Sequence, residues 1–280
     1  MTTKHNLTLH DGRTLIVHDG GSKRESAALT VIWHHGSPHT GALLEPLLDS
    51  STARRIRLVS YARPSYGGSS PNVGRNVASA AADVAELADA LQIERFATIG
   101  ASGGGPHALA CGALLPDRVL GVVTFASPAP LTDAFDWYAG MVAPGGLQAA
   151  ARGRAARADY AATEEFDPDS FTDADWTALR GAWASLGGDA AEAGQAGHDG
   201  LIDDDVAFTM PWAFDLRALR APVLVVQGGE DRVVPATHAT ALVDACPTAE
   251  LWLRPREGHV SVLEAVPVGM DWLLATTKRP

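Results

Sequence analysis

Cysteine is nearly missing from this 280-residue sequence: Cys111 and Cys246 are the only two. They make no disulfide scaffold, so the expectation is a chain of the reduced cytoplasm. Long apolar runs are missing too. Met1-Thr2-Thr3-Lys4-His5 lacks the apolar core of a signal peptide, and no stretch is long enough to span a bilayer. Positive charge is in short supply. The 22 Lys and Arg face 33 Asp and Glu, a formal net charge of −11, which argues against nucleic acid and anionic membranes as partners. No internal repeat or low-complexity tract appears beyond an alanine bias.

What is present is a globular composition, 46% hydrophobic. A chain of this length buries a full core as one domain, or as one domain with a large insertion. Charge and aromatics are unevenly placed. Residues 131–214 hold 15 Asp and Glu against 4 Arg and no Lys, so this block carries the entire net charge and the remainder is neutral. The same block holds 11 of the 18 aromatics, among them Trp137, Trp176, Trp183 and Trp212.

Outside that block, apolar runs alternate with helical patterns. Leu7 to Val17 reads as a hairpin around Asp11-Gly12. Leu29–Trp33, Ile56–Tyr61, Phe96–Ile99, Val119–Phe125, Val223–Gln227 and Glu250–Leu253 read as strands. Helical spacing covers roughly 77–91, 237–244 and 262–274. The alternation predicts an α/β fold with a mainly parallel sheet. The block 131–214 has no clear buried strand and carries helix-compatible runs at 147–162 and 173–186. It reads as a helical cap, or lid, inserted between two pieces of an α/β core, 1–130 and 215–280.

One stretch concentrates the chemistry. The strand ending at Ile99 runs into Gly100-Ala101-Ser102-Gly103-Gly104, which fits G-x-S-x-G, a serine on a sharp strand-to-helix turn. Glycines are needed there because Cβ atoms two positions either side of the serine would collide with neighbouring backbone. Gly103, Gly105 and Ala108 also fit the dinucleotide pattern G-x-G-x-x-G/A. That reading needs an acidic residue some 20 positions on, and Val122 to Ser127 offers none.

A serine hydroxyl becomes a nucleophile when a histidine takes its proton and a carboxylate orients that histidine. Both should lie on loops after later strands. Gln227 leads into Gly228-Gly229-Glu230-Asp231-Arg232-Val233-Val234-Pro235, and Leu253 into Arg254-Pro255-Arg256-Glu257-Gly258-His259. The order is Ser102, Asp231, His259. Glu230 competes with Asp231, although the motif position favours Asp231. His34, His35, His39, His107, His198 and His238 compete with His259, which alone follows the last strand. His35 and His39 have i, i+4 spacing, but Gly36 and Pro38 disfavour the helix a metal site there would require, so no metal is expected.

With these motifs in place, the sequence resembles the α/β-hydrolase superfamily in its cap-bearing serine hydrolase branch. The resemblance rests on His-Gly-x-Pro at 35–38, the elbow at 100–104, Gly-x-x-Asp-Arg-Val-Val-Pro at 228–235 and Gly-His at 258–259. It implies an oxyanion hole made by the backbone N–H groups of Ser37 and Gly103, with no cofactor. It also implies a small-molecule substrate, a carboxylic ester in the first instance. A proline-iminopeptidase-like activity is the alternative, prompted by the acidic block, and a non-catalytic binding relative is a more distant one. One departure stands out. Where the family carries an acidic residue and Arg-Gly after its fourth strand, this chain reads Tyr61-Ala62-Arg63-Pro64-Ser65, which bears on the active-site wall.

Overall fold

Alternate residues along a strand face opposite sides of a sheet, and here both sets are apolar, so each face needs a covering layer. In the computed structural model, which describes residues 2–277, β3 (Leu29–His34) sends Ile32 to one face and Val31 and Trp33 to the other. β7 (Val223–Gly228) divides the same way, Val223 and Val225 against Leu224 and Val226. One face is covered by α2 (Ser79–Ala90), α3 (Gly104–Leu114) and α9 (Ala236–Ala245) through Val84, Leu87, Leu109 and Leu242. The other is covered by α1 (Glu45–Ala53) and α10 (Val266–Thr276) through Leu47, Met270 and Leu273. Each of these side chains is at most 1% exposed, a burial worth about 1.5–3 kcal/mol apiece relative to water.

The sheet has eight strands in the order β1-β2-β4-β3-β5-β6-β7-β8. The hairpin β1 (Thr3–Thr8) and β2 (Thr14–Gly21) is antiparallel, and β2 pairs antiparallel with β4 (Ile56–Tyr61). From β4 onward every pairing is parallel, through β3, β5 (Phe96–Ala101), β6 (Val119–Phe125), β7 and β8 (Ala249–Arg254). Parallel pairing sends the loops after β3, β5, β7 and β8 out at one edge of the sheet, where α/β proteins build their sites.

Between β6 and β7 the described chain forms five α-helices and no strand: α4 (Gly145–Ala150), α5 (Arg154–Ala161), α6 (Asp173–Arg180), α7 (Ala184–Gln195) and α8 (Asp199–Thr209). The two long helical runs expected from spacing are each split. Gly153, at φ +107°, separates α4 from α5, and Gly181 closes α6 before α7 begins. Helix α8 has no counterpart in the sequence reading, because three consecutive aspartates, Asp203 to Asp205, interrupt its apolar pattern.

Candidate active site

The turn between β5 and α3 belongs to Ser102 and Gly103. Ser102 sits at φ +50°, the left-handed region that side chains with a Cβ avoid. Its N–H donates to the Phe125 carbonyl at 2.7 Å, tying the turn to the end of β6. The flanking glycines are sterically required. A Cβ on Gly100 would run into the Gly104 carbonyl, and one on Gly104 into the carbonyl of His34. β3, β5 and the start of α3 therefore approach as closely as backbone allows.

Ser102 Oγ lies 3.0 Å from His259 Nε2, and His259 Nδ1 lies 2.9 Å from Asp231 Oδ2. With Nδ1–H donating to the carboxylate, Nε2 is free to accept from the serine hydroxyl. Asp231 is held from several directions. Its Oδ1 accepts from the N–H groups of Val233 and Val234 at 2.9 and 2.8 Å, and its Oδ2 accepts from Gln227 Nε2 at 3.1 Å. The two loops are stitched together by Gly229 N–H to Arg254 O and Glu230 N–H to Glu257 O, both 2.9 Å. Burial opposes the imidazolium of His259, but the charge and hydrogen bond of Asp231 outweigh it, with a smaller contribution from Asp175. The result is a pKa above the ordinary histidine value.

Across from the histidine, the loop after β3 is locked by charge. Ser37 Oγ donates to Asp204 Oδ2 at 2.5 Å and accepts from Arg63 Nη2 at 2.9 Å. Arg63 also donates to the carbonyls of His35 and Gly36, to the latter at 3.2 Å, and to Asp204 Oδ2 at 2.6 Å. Arg75 Nη1 completes the group on Asp204 Oδ1 at 2.6 Å, and the Tyr66 hydroxyl donates to Oδ2 at 2.9 Å. Asp204, Arg63 and Arg75 are all at most 3% exposed. Burial would raise the Asp204 pKa, yet the two guanidinium groups hold it well below the usual carboxylate range. The unusual loop at 61–65 thus supports the chain at 35–37 from behind. Among the described hydrogen bonds, the backbone N–H groups of Ser37 and Gly103 have no acceptor. The two residues adjoin, since a Cβ on Gly103 would lie 2.5 Å from Ser37 Oγ and 2.9 Å from Phe208.

Ser102 and His259 open into a cavity of about 710 Å³, within the size range of small-molecule sites. Its walls are largely apolar and come from both parts of the chain, with Trp33, Leu44 and Leu263 facing Phe171, Trp176 and Leu186. Five carboxylates also line it: Glu164, Glu165, Asp167, Asp189 and Asp205. Three are engaged. Arg157 binds Asp205 and Glu164, each at 2.7 Å, and Asp189 accepts from His39 Nδ1 at 2.8 Å.

Among the described hydrogen bonds, none of the competing candidates reaches the Ser102 hydroxyl or the His259 ring. Glu230 is exposed. His35 is buried and neutral, its Nδ1–H on Gly36 O at 2.6 Å and its Nε2 accepting from Arg63 N–H at 3.0 Å. His107 packs beside Phe208, and His238 bridges Ala129 N–H and the Trp137 carbonyl. His198 is exposed. Of the 15 acidic residues in 131–214, ten are exposed. Asp175, Asp203, Asp204 and Asp205 are buried, and Asp189 is half-buried. Sequence reasoning missed Gln227, Asp204 and Asp175, and marked Arg63 only as part of the unusual 61–65 loop. A Thr-x-x-Asp capping box at 172–175 was the one available signal for Asp175.

A family profile described as the alpha/beta hydrolase fold matches residues 30–266. A protein of Caulobacter sp. (strain K31), named provisionally as the carbamate hydrolase RutD, is 28% identical over 263 residues, covering 89% of each chain. Among solved structures, the enol-lactonase of Burkholderia xenovorans LB400 superposes with a TM-score of 0.72 at 19% identity, covering 97% of this chain and 100% of that one. A thermophilic esterase of Thermogutta terrifontis gives 0.72 at 20% identity over 100% of both.

Proposed function

The chain belongs to the α/β-hydrolase family, and on that premise we propose that it is a serine hydrolase cleaving a small carboxylic ester. The observation that carries this is the unbroken hydrogen-bonded relay from Ser102 through His259 to Asp231 at the mouth of the cavity. His259 takes the proton of Ser102 as the oxygen attacks the ester carbonyl. The carbonyl π electrons move onto oxygen, and the oxyanion accepts from the N–H groups of Ser37 and Gly103. In known enzymes one such donor is worth about 2.7–4 kcal/mol of barrier. Collapse breaks the bond to the alcohol, which leaves with the proton from His259. Water, deprotonated by the same imidazole, then releases the acyl group from Ser102.

Residues 131–214 act in this reading as a cap over a core formed by 1–130 and 215–280, supplying more than half the cavity wall. An amine-directed, iminopeptidase-like activity has less support, because Glu164, Asp189 and Asp205 already have partners. The esterase and lactonase names of structural neighbours fit an ester carbonyl, and the carbamate hydrolase relative adds carbamates to the substrates worth trying.

The test is fluorophosphonate labelling followed by a panel of p-nitrophenyl esters, carbamates and aminoacyl amides. Wild type labels at one site and turns over at least one ester. Ser102→Ala folds, does not label, and loses turnover by several orders of magnitude. Labelling of the alanine variant to wild-type extent rules out Ser102 as nucleophile.

A further inference from the structure

His259 is held by more than Asp231. Helix α6 begins with a capping box: Thr172 Oγ1 accepts from Asp175 N–H at 3.2 Å, and Asp175 Oδ2 accepts from both Thr172 N–H and Thr172 Oγ1 at 2.9 Å. Capping uses only one oxygen of the Asp175 carboxylate. The other, Oδ1, accepts from the N–H groups of Val260 and Ser261, each at 2.8 Å. These are the two residues directly after His259, reached across 85 positions of sequence. Asp175 is fully buried. The approach is close, for a Cβ on Gly258 would collide with the Asp175 carboxylate. Gly258 N–H in turn donates to Ser261 Oγ at 2.8 Å. The backbone on both sides of the histidine is thereby wrapped round one carboxylate of the insertion.

We propose that Asp175 is a positioning residue for His259, a carboxylate of helix α6 that fixes the histidine loop through the N–H groups of Val260 and Ser261. This rests on the serine hydrolase reading above. Asp175 touches no reacting atom. It acts by keeping Nε2 within reach of Ser102 Oγ, and a displacement of about 1 Å at a reacting centre is enough to cost 10²-fold in rate. Without Asp175, Val260 and Ser261 would carry two buried donors with no acceptor, and a loop relieves that by moving toward water.

The experiment compares Asp175→Ala, Asp175→Asn and Thr172→Val in the full chain. Asn keeps an acceptor toward Val260 and Ser261, but its Nδ2 replaces the oxygen that accepts from Thr172 N–H, so the cap is weakened while the histidine loop keeps its acceptor. Val removes the capping hydroxyl and leaves Oδ1 in place. Asp175→Ala is expected to lower kcat and the rate of fluorophosphonate labelling by about 10²-fold with KM nearly unchanged. It should also speed amide hydrogen exchange at Val260 and Ser261. Asp175→Asn should recover most of the loss. Thr172→Val should lose thermal stability while keeping kcat near wild type and leaving those two amides protected. Should the alanine variant not fold, Asp175→Ser carries the same expectation, since serine can cap but cannot reach Val260. The proposal is overturned if kcat falls no further in Asp175→Ala than in Thr172→Val, or if exchange at Val260 and Ser261 is unchanged. A wild type that does not label removes the hydrolase reading, and this inference with it. A wild type that labels beside an alanine variant that labels equally fast removes the inference alone.

Discussion

Two residues of the relay carry conformational or protonation costs that can be measured. Ser102 occupies a left-handed backbone conformation, costing a residue with a Cβ about 1–2 kcal/mol. Ser102→Ala and Ser102→Gly both lose the hydroxyl, but only glycine relieves that strain. Glycine also loosens the unfolded chain, at about 0.4–1 kcal/mol. The balance favours glycine by about 0–1.6 kcal/mol, at about 2–4 °C in Tm per kcal/mol for a chain of this size. Differential scanning calorimetry of the two inactive variants should therefore show Ser102→Gly melting higher, and a lower Tm for glycine would mean the turn stores no strain. In the proposed mechanism the raised pKa of His259 sets the acid side of activity. The imidazole must be neutral to take the serine proton, so a histidine held above its ordinary value keeps the enzyme off until a higher pH.

At the scale of an element, α8 is the informative one. Its Asp203, Asp204 and Asp205 follow one another, yet each has a different guanidinium partner: Arg154 for Asp203, Arg63 and Arg75 for Asp204, Arg157 for Asp205. Burial pushes the Asp205 carboxyl up to about 7 against the pull of Arg157. The folded state then keeps the Asp205 proton up to about pH 7, while the unfolded chain loses it near 4. Its stabilising share is complete below about pH 4 and is lost as pH rises towards 7. Asp205→Asn stays neutral throughout, so its Tm relative to wild type should climb between pH 4 and 7 and level off above. An equal Tm difference at pH 5 and pH 8 would show that burial does not control this carboxyl. None of this was legible in the sequence, where three aspartates in a row only break the apolar pattern of a helix. The strands were legible because β-branched runs such as Leu29–Trp33 and Val223–Gln227 need no partner to be recognised. That Ser102, Asp231 and His259 share one edge of the sheet was legible because each follows a strand within a glycine-marked motif. Asp175 was not, since its partners Val260 and Ser261 offer backbone N–H groups, which every residue except proline has. The split of the expected runs at Gly153 and Gly181 was visible as glycine but outweighed by the surrounding alanine.

For the whole molecule, the net charge of −11 turns out to be divided between two roles. Ten acidic residues of 131–214 lie on the surface, and three of the inner ones, Asp175, Asp189 and Asp204, tie this segment to the rest of the chain. Of the five carboxylates at the cavity, Glu165 and Asp167 are exposed and have no cationic partner among the described residues. Charges of that kind attract a substrate amine weakly in water and are screened by salt. Matched esters with and without an α-amino group should differ in kcat/KM by about fivefold or less at low salt, a ratio worth about 1 kcal/mol, and converge at high salt. A tenfold or larger preference that survives salt would restore an amine site. The three tethers, Asp175 to the histidine loop, Asp189 to Thr40 and Asp204 to Ser37 and Arg63, also bear on how such a protein can be recombined. An insertion transplanted from another family member would deliver new cavity walls but strip acceptors from the recipient's own reactive loops. Residues 131–214 are therefore best exchanged together with 35–40, Arg63, Arg75 and 258–261, and a chimera that respects this grouping should remain active where a swap at 131 and 214 alone does not.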